Sequence, residues 1–466
     1  MGRFLPPLLA SLLLSACATA GPDYHAPTDS AASRPAATAP FVSAGGDAFT
    51  QAPLPDRWWR LYADDRLDAL VGEALGANTD LRVADANLRR ADAVVREAQA
   101  GRALTTTVEG GASLARPSGK GGDLPGVVGY DLGFAASYPL DLRGKIARGI
   151  EAARADSEAV TAARDAVRIS VAAATAKAYA DVCGANYALA VNQRIVALQR
   201  DTLDATRRLA TGGRGTAFDV SRAQAAVDQS AATIPVFVAR RQTALFLLAT
   251  LLGRPPAEYP RDVATCAVLP ALSAPLPVGD GAALIRRRPD IRAAERAIAG
   301  DTARIGVATA DLYPQVSIGG SLGLTGALRD AGSTSAFGFS LGPLLSWSFP
   351  NRPVVRARIE QADARVAADL ANFDGVVLGA LRQTETSLEV YARDRDSAGA
   401  LAKARDSTSL SARQAQQLFR FGRGDFLSLL DAQRTLASAE AANAAAQAQL
   451  VDDQIAIFLA LGGGWQ

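Results

Sequence analysis

One stretch of the sequence has the residue spacing of a catalytic nucleophile. Gly319-Gly320-Ser321-Leu322-Gly323 fits the G-x-S-x-G pattern, in which a serine on a strand-to-helix turn works with a histidine partner. The chain has a single histidine, His25, in a segment rich in Ala, Pro, Ser and Thr. The alternation of residues around Ser321 predicts the middle of a strand instead of such a turn. We therefore expect no enzyme activity, no cofactor and no metal site.

The composition excludes further classes of protein. The chain has 466 residues, 49% of them hydrophobic and 21% charged, which is enough for a sizeable core and more than one domain. Lys and Arg total 49 against 47 for Asp and Glu, so the net charge of +2 provides no field for a polyanion, and nucleic acid is not an expected partner. Beyond the N-terminus no uninterrupted apolar run predicts a membrane-spanning helix. A membrane role would then need an anchor or a β-barrel.

The N-terminus predicts export and lipid attachment. Arg3 and the apolar run that follows it fit a secretory signal peptide over residues 1–16. The stretch Leu14-Ser15-Ala16-Cys17 resembles the bacterial lipobox, in which the cysteine becomes the acylated N-terminus. Cys17 is therefore the expected lipid attachment site, and an ordinary signal peptide with a chance cysteine is the alternative. Residues 17–55 would form the lipidated tether and N-terminal segment, extended over most of its length.

The chain contains two copies of one large unit. Short stretches near the middle and the end of each copy recur 209 residues later, and one near the start recurs after 210. The pairs are Gly213-Arg214-Gly215 with Gly422-Arg423-Gly424, Leu252-Gly253 with Leu461-Gly462, and Asp80-Leu81-Arg82 with Asp290-Ile291-Arg292. A period this long is not that of a solenoid. We expect repeat 1 over 56–270 and repeat 2 over 271–466.

Each repeat is expected to run helix, two strands, long helix, turn, helix. In repeat 1 the helical pattern covers Arg66–Ala100 and Lys145–Ala210, and a last helix reaches about Leu252 with a kink at Pro235. In repeat 2 no proline follows Pro353, and apolar residues seven apart indicate coiled-coil-like packing. A helix of about 70 residues spans roughly 105 Å, which is more than a compact bundle needs.

Two β-hairpins are predicted, at about 103–141 and about 314–350. Their strands have one apolar face and one face of small and polar residues, as in a membrane barrel with lipid outside and water inside. A soluble sandwich is the alternative, since one of its faces is apolar too. Four strands cannot close a barrel with a lumen, so several chains would have to share one.

The combination of lipobox, duplicated helix–hairpin–helix unit and paired long helices resembles the TolC-like outer-membrane efflux channels. The resemblance is closer to the NodT-type lipoprotein branch that serves resistance–nodulation–division pumps. The matching stretches are Asp56-Arg57-Trp58-Trp59-Arg60-Leu61-Tyr62, Asn78-Thr79-Asp80-Leu81-Arg82, Arg286-Arg287-Arg288-Pro289-Asp290-Ile291-Arg292 and Gly422-Arg423-Gly424-Asp425-Phe426-Leu427-Ser428-Leu429-Leu430-Asp431-Ala432-Gln433.

The resemblance implies a mainly α fold with a β membrane part. Three chains would form a 12-stranded β-barrel in the outer membrane, in contact with its lipid and continued by a 12-helix α-barrel in the periplasm. The homotrimer would be a passive exit duct for small molecules such as drugs or toxic compounds. Its partners would be a periplasmic adaptor (a membrane fusion protein) and an inner-membrane resistance–nodulation–division pump. A structural or adhesive lipoprotein with a coiled-coil stalk is the alternative.

The resemblance also assigns roles to the two glycine-containing turns. The periplasmic tips, about 211–216 and about 420–425, are where such channels meet the adaptor. Glycine there allows left-handed backbone and close approach of a partner. The expected contact residues are Gly213, Gly215, Gly422 and Gly424. A plain turn of a helical hairpin is the alternative at each position.

Gate and lock residues follow from the same resemblance. Asp431 matches the gate-ring aspartate, with a surface charge near a helix start as the alternative. Ser428 occupies the position of a second gate aspartate in some members. Leu427 and Leu430 are expected to close the gate with them. Asp219 matches an aspartate of the inter-helix lock. Gly424 stands where the lock has an arginine, and Arg420 or Arg423 is expected to replace it.

Cys183 and Cys266 are predicted to form a disulfide, with two free thiols as the alternative. The periplasm is oxidising. Cys183 lies about 30 residues before the first turn, and the helix after the turn runs back for about 36 residues before the chain reaches Cys266. At about 1.5 Å per helical residue, the two cysteines would lie at comparable distances from the turn along the helices.

Overall fold

The computed structural model describes residues 19–115 and 126–463, in which helices predominate. These residues form two compact units. The first unit comprises 19–28 together with Asn87–Thr161 and Ala293–Phe373. The second comprises Asp29–Ala86, Ala162–Arg292 and the chain from Asp374 onward.

The helices include two of almost 70 residues. In chain order they are α1 (Pro35–Thr38), α2 (Asp65–Ala77), α3 (Thr79–Ala100), α4 (Lys145–Thr211), α5 (Ala217–Ala231), α6 (Ile234–Leu251), α7 (Gly281–Arg287), α8 (Pro289–Ala310), α9 (Arg352–Arg420) and α10 (Phe426–Ala460). Short 3-10 turns occur at Ala31–Ser33, Val42–Ala44, Trp58–Tyr62, Pro256–Glu258, Val263–Thr265, Leu328–Asp330 and Thr334–Ala336.

The first unit contains a four-stranded antiparallel sheet. Its strands are β2 (Thr105–Ala115), β3 (Val127–Leu140), β5 (Gln315–Ala327) and β6 (Phe337–Ser346), hydrogen-bonded in the order β2-β3-β5-β6. Each hairpin joins neighbours in sequence, and β3 pairs with β5 across the two repeats. Strands β2 and β6 are therefore the edges of an open sheet.

The second unit has a small parallel pairing and an aromatic core. Strand β1 (Phe49–Thr50) pairs with β4 (Leu276–Pro277). The fully buried Trp58 stacks on Phe458 of α10, with ring centroids 4.6 Å apart. Because large aromatic rings bury much apolar area, this stack fixes the chain before α2 against the end of α10.

Matching elements of the two halves have matching lengths. Helices α3 and α8 each have 22 residues, and their bounds differ by 210. The long helices α4 and α9 have 67 and 69 residues and end 209 residues apart. The stretch from the start of α5 to the end of α6 is as long as α10, which has 35 residues.

The helix expected over Arg66–Ala100 is two helices, α2 and α3. The buried Asn78 stands between them, and its Oδ1 accepts hydrogen bonds from the backbone N–H groups of Asp80 and Leu81. Its Nδ2 donates to the carbonyl of Leu251. An Asn side chain that satisfies the first N–H groups of a helix favours a new start over continuation, so Asn78 ends one helix and caps the next.

The helix expected to reach Leu252 is also interrupted. Helix α5 ends at Ala231 and α6 begins at Ile234, so the interruption lies two residues before the kink expected at Pro235, and Ala232 and Thr233 keep right-handed helical dihedrals across it. Proline has no N–H and lies in the first turn of α6, where an N–H has no intrahelical partner anyway.

The N-terminal segment is extended but attached to the helices, which the expectation of a tether did not include. In the first unit Ala20 donates its N–H to the carbonyl of Arg143, and the buried Arg148 donates to the carbonyl of Ala20 and to Asp23. In the second unit Asp374 accepts from the N–H of Ala31, and Glu385 from those of residues 42 and 43. Hydrogen bonds to residues far along the chain thus satisfy several backbone groups of this segment, with a side-chain donor in the first unit and side-chain acceptors in the second.

Candidate functional site

Apolar side chains form continuous rows across one face of the four-stranded sheet. Val108, Phe134, Leu322 and Phe339 lie directly opposite one another on successive strands. All four are exposed, Val108 and Phe339 by 74% and 80%. Opposite residues of an antiparallel pair share a face, so this is a broad apolar surface that the described part of the chain does not cover. In water such a surface is unfavourable, and it marks contact with a membrane or a partner.

The other face of the sheet carries small and polar residues. Glu109, Gly133, Gly323 and Gly338 form one row, and Thr107, Ala135, Ser321 and Ser340 form the next. The hydroxyls of Ser321 and Ser340 lie 2.8 Å apart and share a hydrogen bond. Ser321 is thus in mid-strand, where the nucleophile motif would need a strand-to-helix turn. A face on which most residues are glycine, alanine, serine or threonine leaves room for water along it.

Helix α4 ends in a Schellman motif, which forms the first of the two turns and leads to α5. Gly213 has φ +70°, and the N–H of Arg214 donates to the carbonyl of Leu209 over 2.9 Å. The positive φ is why a glycine stands here. Thr216 then caps α5 in a capping box with Asp219, whose backbone N–H donates to the threonine hydroxyl oxygen while its carboxylate accepts from the hydroxyl and from the N–H of Thr216.

The second turn, between α9 and α10, repeats this backbone with other side chains. Gly422 has φ +67°, and the N–H of Arg423 donates to the carbonyl of Leu418 over 2.9 Å. Here the cap of the helix is a carboxylate, since Asp425 accepts from the backbone N–H and the hydroxyl of Ser428. These hydrogen bonds, the hydroxyl's above all, hold the pKa of Asp425 below its usual range.

The structure does not bring the expected lock residues together. The carboxylate of Asp219 is engaged by Thr216, and among the described residues neither Arg420 nor Arg423 forms an ion pair with it. Both arginines are exposed. Within one chain, Asp219 therefore serves the cap of α5.

The expected gate residues lie on the first turns of α10, with different exposures. Asp431 and Ser428 are exposed, and Leu427 is 52% exposed. Leu430 is buried within its own chain at 4% exposure. Three of the four side chains are thus free to face a pore or another copy.

Two exposed aromatic residues at the turns were not among the residues predicted from the sequence. Phe421 precedes Gly422 and is 80% exposed, and Phe218 follows the first turn and is 66% exposed. The guanidinium of Arg222 lies over the ring of Phe218, 5.5 Å from its centroid. The sequence does contain a signal for these two residues: each is an aromatic residue beside a glycine turn, where no core is available to bury the ring. Such side chains are common contact points for a partner protein.

Cys183 and Cys266 are joined in a disulfide within the second unit. Cys183 is fully buried in α4, and Asn186, one turn later, donates from its Nδ2 to the carbonyls of Ala264 and Cys266. The bond and these hydrogen bonds attach the irregular segment after α6 to the long helix.

One helical stretch, Ala217–Leu251, could cross a membrane by length and composition alone, which the sequence analysis did not expect. It is interrupted between α5 and α6, and most of it is not buried. Several of its apolar residues are partly or largely exposed: Val236, Val238, Phe246 and Leu247. Helix α6 therefore has an apolar surface that its own chain leaves open.

Other expected features fall outside the described residues. These are the signal peptide, Cys17 and residues 116–125, which connect β2 and β3 within the first predicted hairpin. The connection between β5 and β6 contains two 3-10 turns, Leu328–Asp330 and Thr334–Ala336.

The family model described as "Outer membrane efflux protein" matches residues 70–254 and 282–463, which are the two halves with equal helices. The chain belongs to the outer membrane efflux protein family. It is 28% identical to nodulation protein T of Rhizobium leguminosarum bv. trifolii, over 99% of this chain and 97% of that protein. It is 30% identical to the pyoverdine export outer membrane protein OpmQ of Pseudomonas aeruginosa, over 98% and 96%.

The solved structure of the outer-membrane channel OprN is similar throughout. It covers 96% of this chain and 99% of its own, with a TM-score of 0.88 and 36% identity. The resemblance to the NodT-type efflux channels is thereby confirmed. The protein is the outer-membrane exit of an efflux system, with its helical part in the periplasm.

Proposed function

We propose that three copies of this chain form one channel with a shared 12-stranded β-barrel and a 12-helix periplasmic barrel. The observation that carries this proposal is the open sheet, whose edges β2 and β6 have no partner strand in the described chain. An unpaired edge cannot lie in lipid, where no water satisfies its N–H and C=O groups. Four strands are too few to enclose a lumen, and three sheets joined edge to edge supply twelve.

Two further surfaces support the assembly. The apolar rows of the sheet suit lipid, and the opposite face of glycine, serine and threonine suits a water-filled lumen. The exposed apolar residues of α6 suit a helix of the next copy. In this assembly the repeats 56–270 and 271–466 contribute equivalent sixths of the wall, in agreement with their equal helix lengths.

The cargo is proposed to be small molecules, drugs or toxic compounds among them, that pass without chemical change. The relatives support a duct whose cargo is chosen elsewhere, since one of them is a pyoverdine exporter and another a nodulation protein. A periplasmic adaptor and an inner-membrane resistance–nodulation–division pump would supply contact and energy. The adaptor would meet the two turns at Gly213, Gly215, Gly422 and Gly424, where the exposed rings of Phe218 and Phe421 add apolar contact area.

The gate of the channel is proposed to lie at the start of α10. Asp431, Ser428 and Leu427 are exposed there, and three copies of Asp431 around an axis would attract cations. Since Leu430 is buried in its own chain, it would support Leu427 instead of lining the pore. To form the lock, the carboxylate of Asp219 would have to leave Thr216 and pair with Arg420 or Arg423 of another copy.

The anchor at Cys17 stays a proposal of its own. The attachment of residues 20–23 to Arg148 in the first unit supports it, because acyl chains on Cys17 would then be held within a few residues of that unit. Mass spectrometry of the mature protein tests it: an acylated Cys17 is expected, and an unmodified N-terminus contradicts it.

The channel is tested with the purified full-length protein in planar bilayers. We expect extraction only with detergent, a trimer by native mass spectrometry, and steady conductance. Asp431→Ala should lower cation selectivity with the trimer intact, whereas the control Asp406→Ala, on the exposed surface of α9, should not. A monomer that is soluble without detergent would contradict the proposal, and unchanged selectivity would remove Asp431 from the pore.

A further inference from the structure

A cavity of about 650 Å³ lies where β6 gives way to α9, in the first unit. Its apolar wall consists of the rings of Tyr313, Trp347 and Phe349, and its basic wall of Arg352 and Arg356. The two arginines are one turn apart at the start of α9, so both guanidinium groups lie on one side of the helix. Apolar and cationic walls in one cavity suit an amphiphile with an anionic head.

The two guanidinium groups lack anionic partners. Among the described residues, none of the ion pairs involves Arg352 or Arg356, and both side chains are exposed. The nearby carboxylate, that of Asp311, is already paired with Lys145 and Arg358 at 2.6 and 3.6 Å. The N-terminus of α9 adds the positive end of a helix dipole. The positive charge at this cavity is therefore not neutralised by the residues that the structure describes.

The aromatic rings indicate the depth at which the cavity lies relative to the membrane. Trp347 and Phe349 follow the last residue of β6 and lie 5.1 Å apart, with 47% and 73% of their surfaces exposed. They continue the row of Phe339, Leu341 and Leu345, which is the apolar face of that strand. Aromatic residues at the end of such a face mark the level of the lipid headgroups. Arginines immediately beyond them then stand at the height of phosphate.

The rings are also supported by a cation. The guanidinium of Arg143, which follows β3, lies over the ring of Tyr313, 4.2 Å from its centroid. This cation–π contact orients the ring and adds a third positive group beside the cavity. The Nδ2 of Asn351 donates to the carbonyl of Asp311 and so fixes the turn that carries Arg352.

We propose that this cavity binds an anionic glycerophospholipid of the periplasmic leaflet. The phosphate accepts hydrogen bonds from Arg352 and Arg356, the glycerol region packs on Trp347 and Tyr313, and the acyl chains follow the exposed apolar residues of β6. Guanidinium groups match the geometry of phosphate oxygens. The inference rests on the proposed function in one respect, namely that the apolar face of the sheet lies in the membrane.

The test uses the full-length protein reconstituted in nanodiscs of phosphatidylcholine with one-tenth phosphatidylglycerol, followed by native mass spectrometry of the released channel. We expect phosphatidylglycerol to be retained in preference to phosphatidylcholine. Arg352→Gln with Arg356→Gln should lower that retention on the order of tenfold, because each basic residue near an anionic headgroup contributes several-fold. Arg352→Lys with Arg356→Lys should keep most of it, since the charges remain.

The matched control is Arg89→Gln with Arg90→Gln, two exposed arginines on α3 in the same unit. This variant removes the same charge and should retain phosphatidylglycerol as the wild type does. Equal retention in the site variant, or an equal loss in the control, overturns the proposal. Displacement of the lipid by millimolar inorganic phosphate would also overturn it, because the site would then bind an ion.

Failure of this inference and failure of the channel give different results. A site variant that forms a conducting trimer but retains phosphatidylglycerol as the wild type does refutes the lipid site alone. A wild-type protein that needs no detergent and forms no trimer refutes the membrane sheet, and the lipid site with it.

Discussion

The two helices that return from the turns follow the same path with different chemistry. The stretch 217–251 and helix α10, 426–460, have equal lengths and are related by 209 residues. The first is broken before Pro235, and at the equivalent position the second has Ala444, buried in an unbroken helix. Where α10 has the buried Asp453, the first stretch has Ala244.

The supports beside these helices differ as well. Cys183 of the first long helix is bonded to Cys266, and the equivalent residue of the second long helix is Ala392. The turn of repeat 1 is capped by a hydroxyl and that of repeat 2 by a carboxylate. The two repeats therefore share helix lengths and glycine placement, whereas the side chains that stabilise each copy are specific to it.

Removal of the disulfide should have the largest effect, and only repeat 1 has such a bond. The bond spans 83 residues, and cross-links of this span contribute about 2–5 kcal/mol, largely by restricting the unfolded chain. Cys183→Ala with Cys266→Ala should lower the midpoint of thermal unfolding, as should reductant on the wild type. The double variant should not respond to reductant further. Alkylation of both thiols in the native, unreduced protein would show that the bond is absent.

Proline should have opposite consequences at the two equivalent positions. Ala444→Pro removes an N–H and places a ring inside the continuous α10, which costs about 3 kcal/mol or more. Pro235→Ala should change stability by less than about 1 kcal/mol, because Pro235 occupies the first turn of α6. Thermal unfolding of the two variants in parallel measures the difference. Similar losses in both would mean that the break before α6 is not set by the proline.

The sequence was sufficient for the elements that repeat or alternate. Alternation over 103–141 located β2 and β3 within a few residues, because each strand has one apolar face and a period of two. The absence of proline located the long helices α4 and α9. These signals extend over many residues, so a single exception does not obscure them.

The sequence was insufficient where one side chain decides the backbone. Asn78 divides a continuous helical pattern because its amide caps α3 and bonds to the distant Leu251, a contact that no local pattern shows. The attachment of the N-terminal segment likewise depends on Arg148 and Asp374, far along the chain. At the candidate gate, periodicity alone did not distinguish the exposed Leu427 from the buried Leu430.

A pH dependence should be specific to the return helix of repeat 2. Burial raises the pKa of Asp453 to about 6; the hydrogen bond from Gln449 opposes this, and the neighbouring carboxylates of Asp394 and Asp452 add to it. The folded protein therefore holds a proton between about pH 4 and 6 that the unfolded chain releases. Stability from this group is greatest at low pH and is lost as pH rises through about 6.

Asp453→Asn should remove that loss. The variant should gain stability over the wild type between pH 5 and 7.5, by roughly 1–2 kcal/mol at the upper end. The control is Asp406→Asn on the exposed surface of α9, which removes a carboxylate outside this cluster and should leave the pH dependence as in the wild type. Unfolding midpoints at several pH values provide the measurement. A difference between wild type and Asp453→Asn that does not grow with pH would show that the carboxyl is ionised throughout.

The smallest predicted effect distinguishes the caps of the two turns. Thr216→Ala removes the oxygen that accepts from the N–H of Asp219, and loss of such a cap costs about 1 kcal/mol. Ser428→Ala removes a hydroxyl that only donates to Asp425, whose carboxylate still accepts the N–H of residue 428. Hydrogen exchange should therefore accelerate about fivefold over the first turn of α5 in Thr216→Ala, and less over α10 in Ser428→Ala.

Low pH should weaken the cap of α10, which is a carboxylate, and leave the cap of α5, which is a hydroxyl, unchanged. Because the hydroxyl of Ser428 lowers the pKa of Asp425, the stabilisation by this carboxylate is present above its ordinary pKa and is lost as pH falls through the lowered value. Ser428→Ala should move that loss to higher pH, whereas the threonine hydroxyl that caps α5 does not titrate. Exchange rates of the first amides of α10 between pH 3 and 6, corrected for intrinsic rates, measure the shift. If each variant changed the exchange rates of its own turn by the same amount and with the same pH dependence, the two caps would act alike. The turns would then differ in sequence alone.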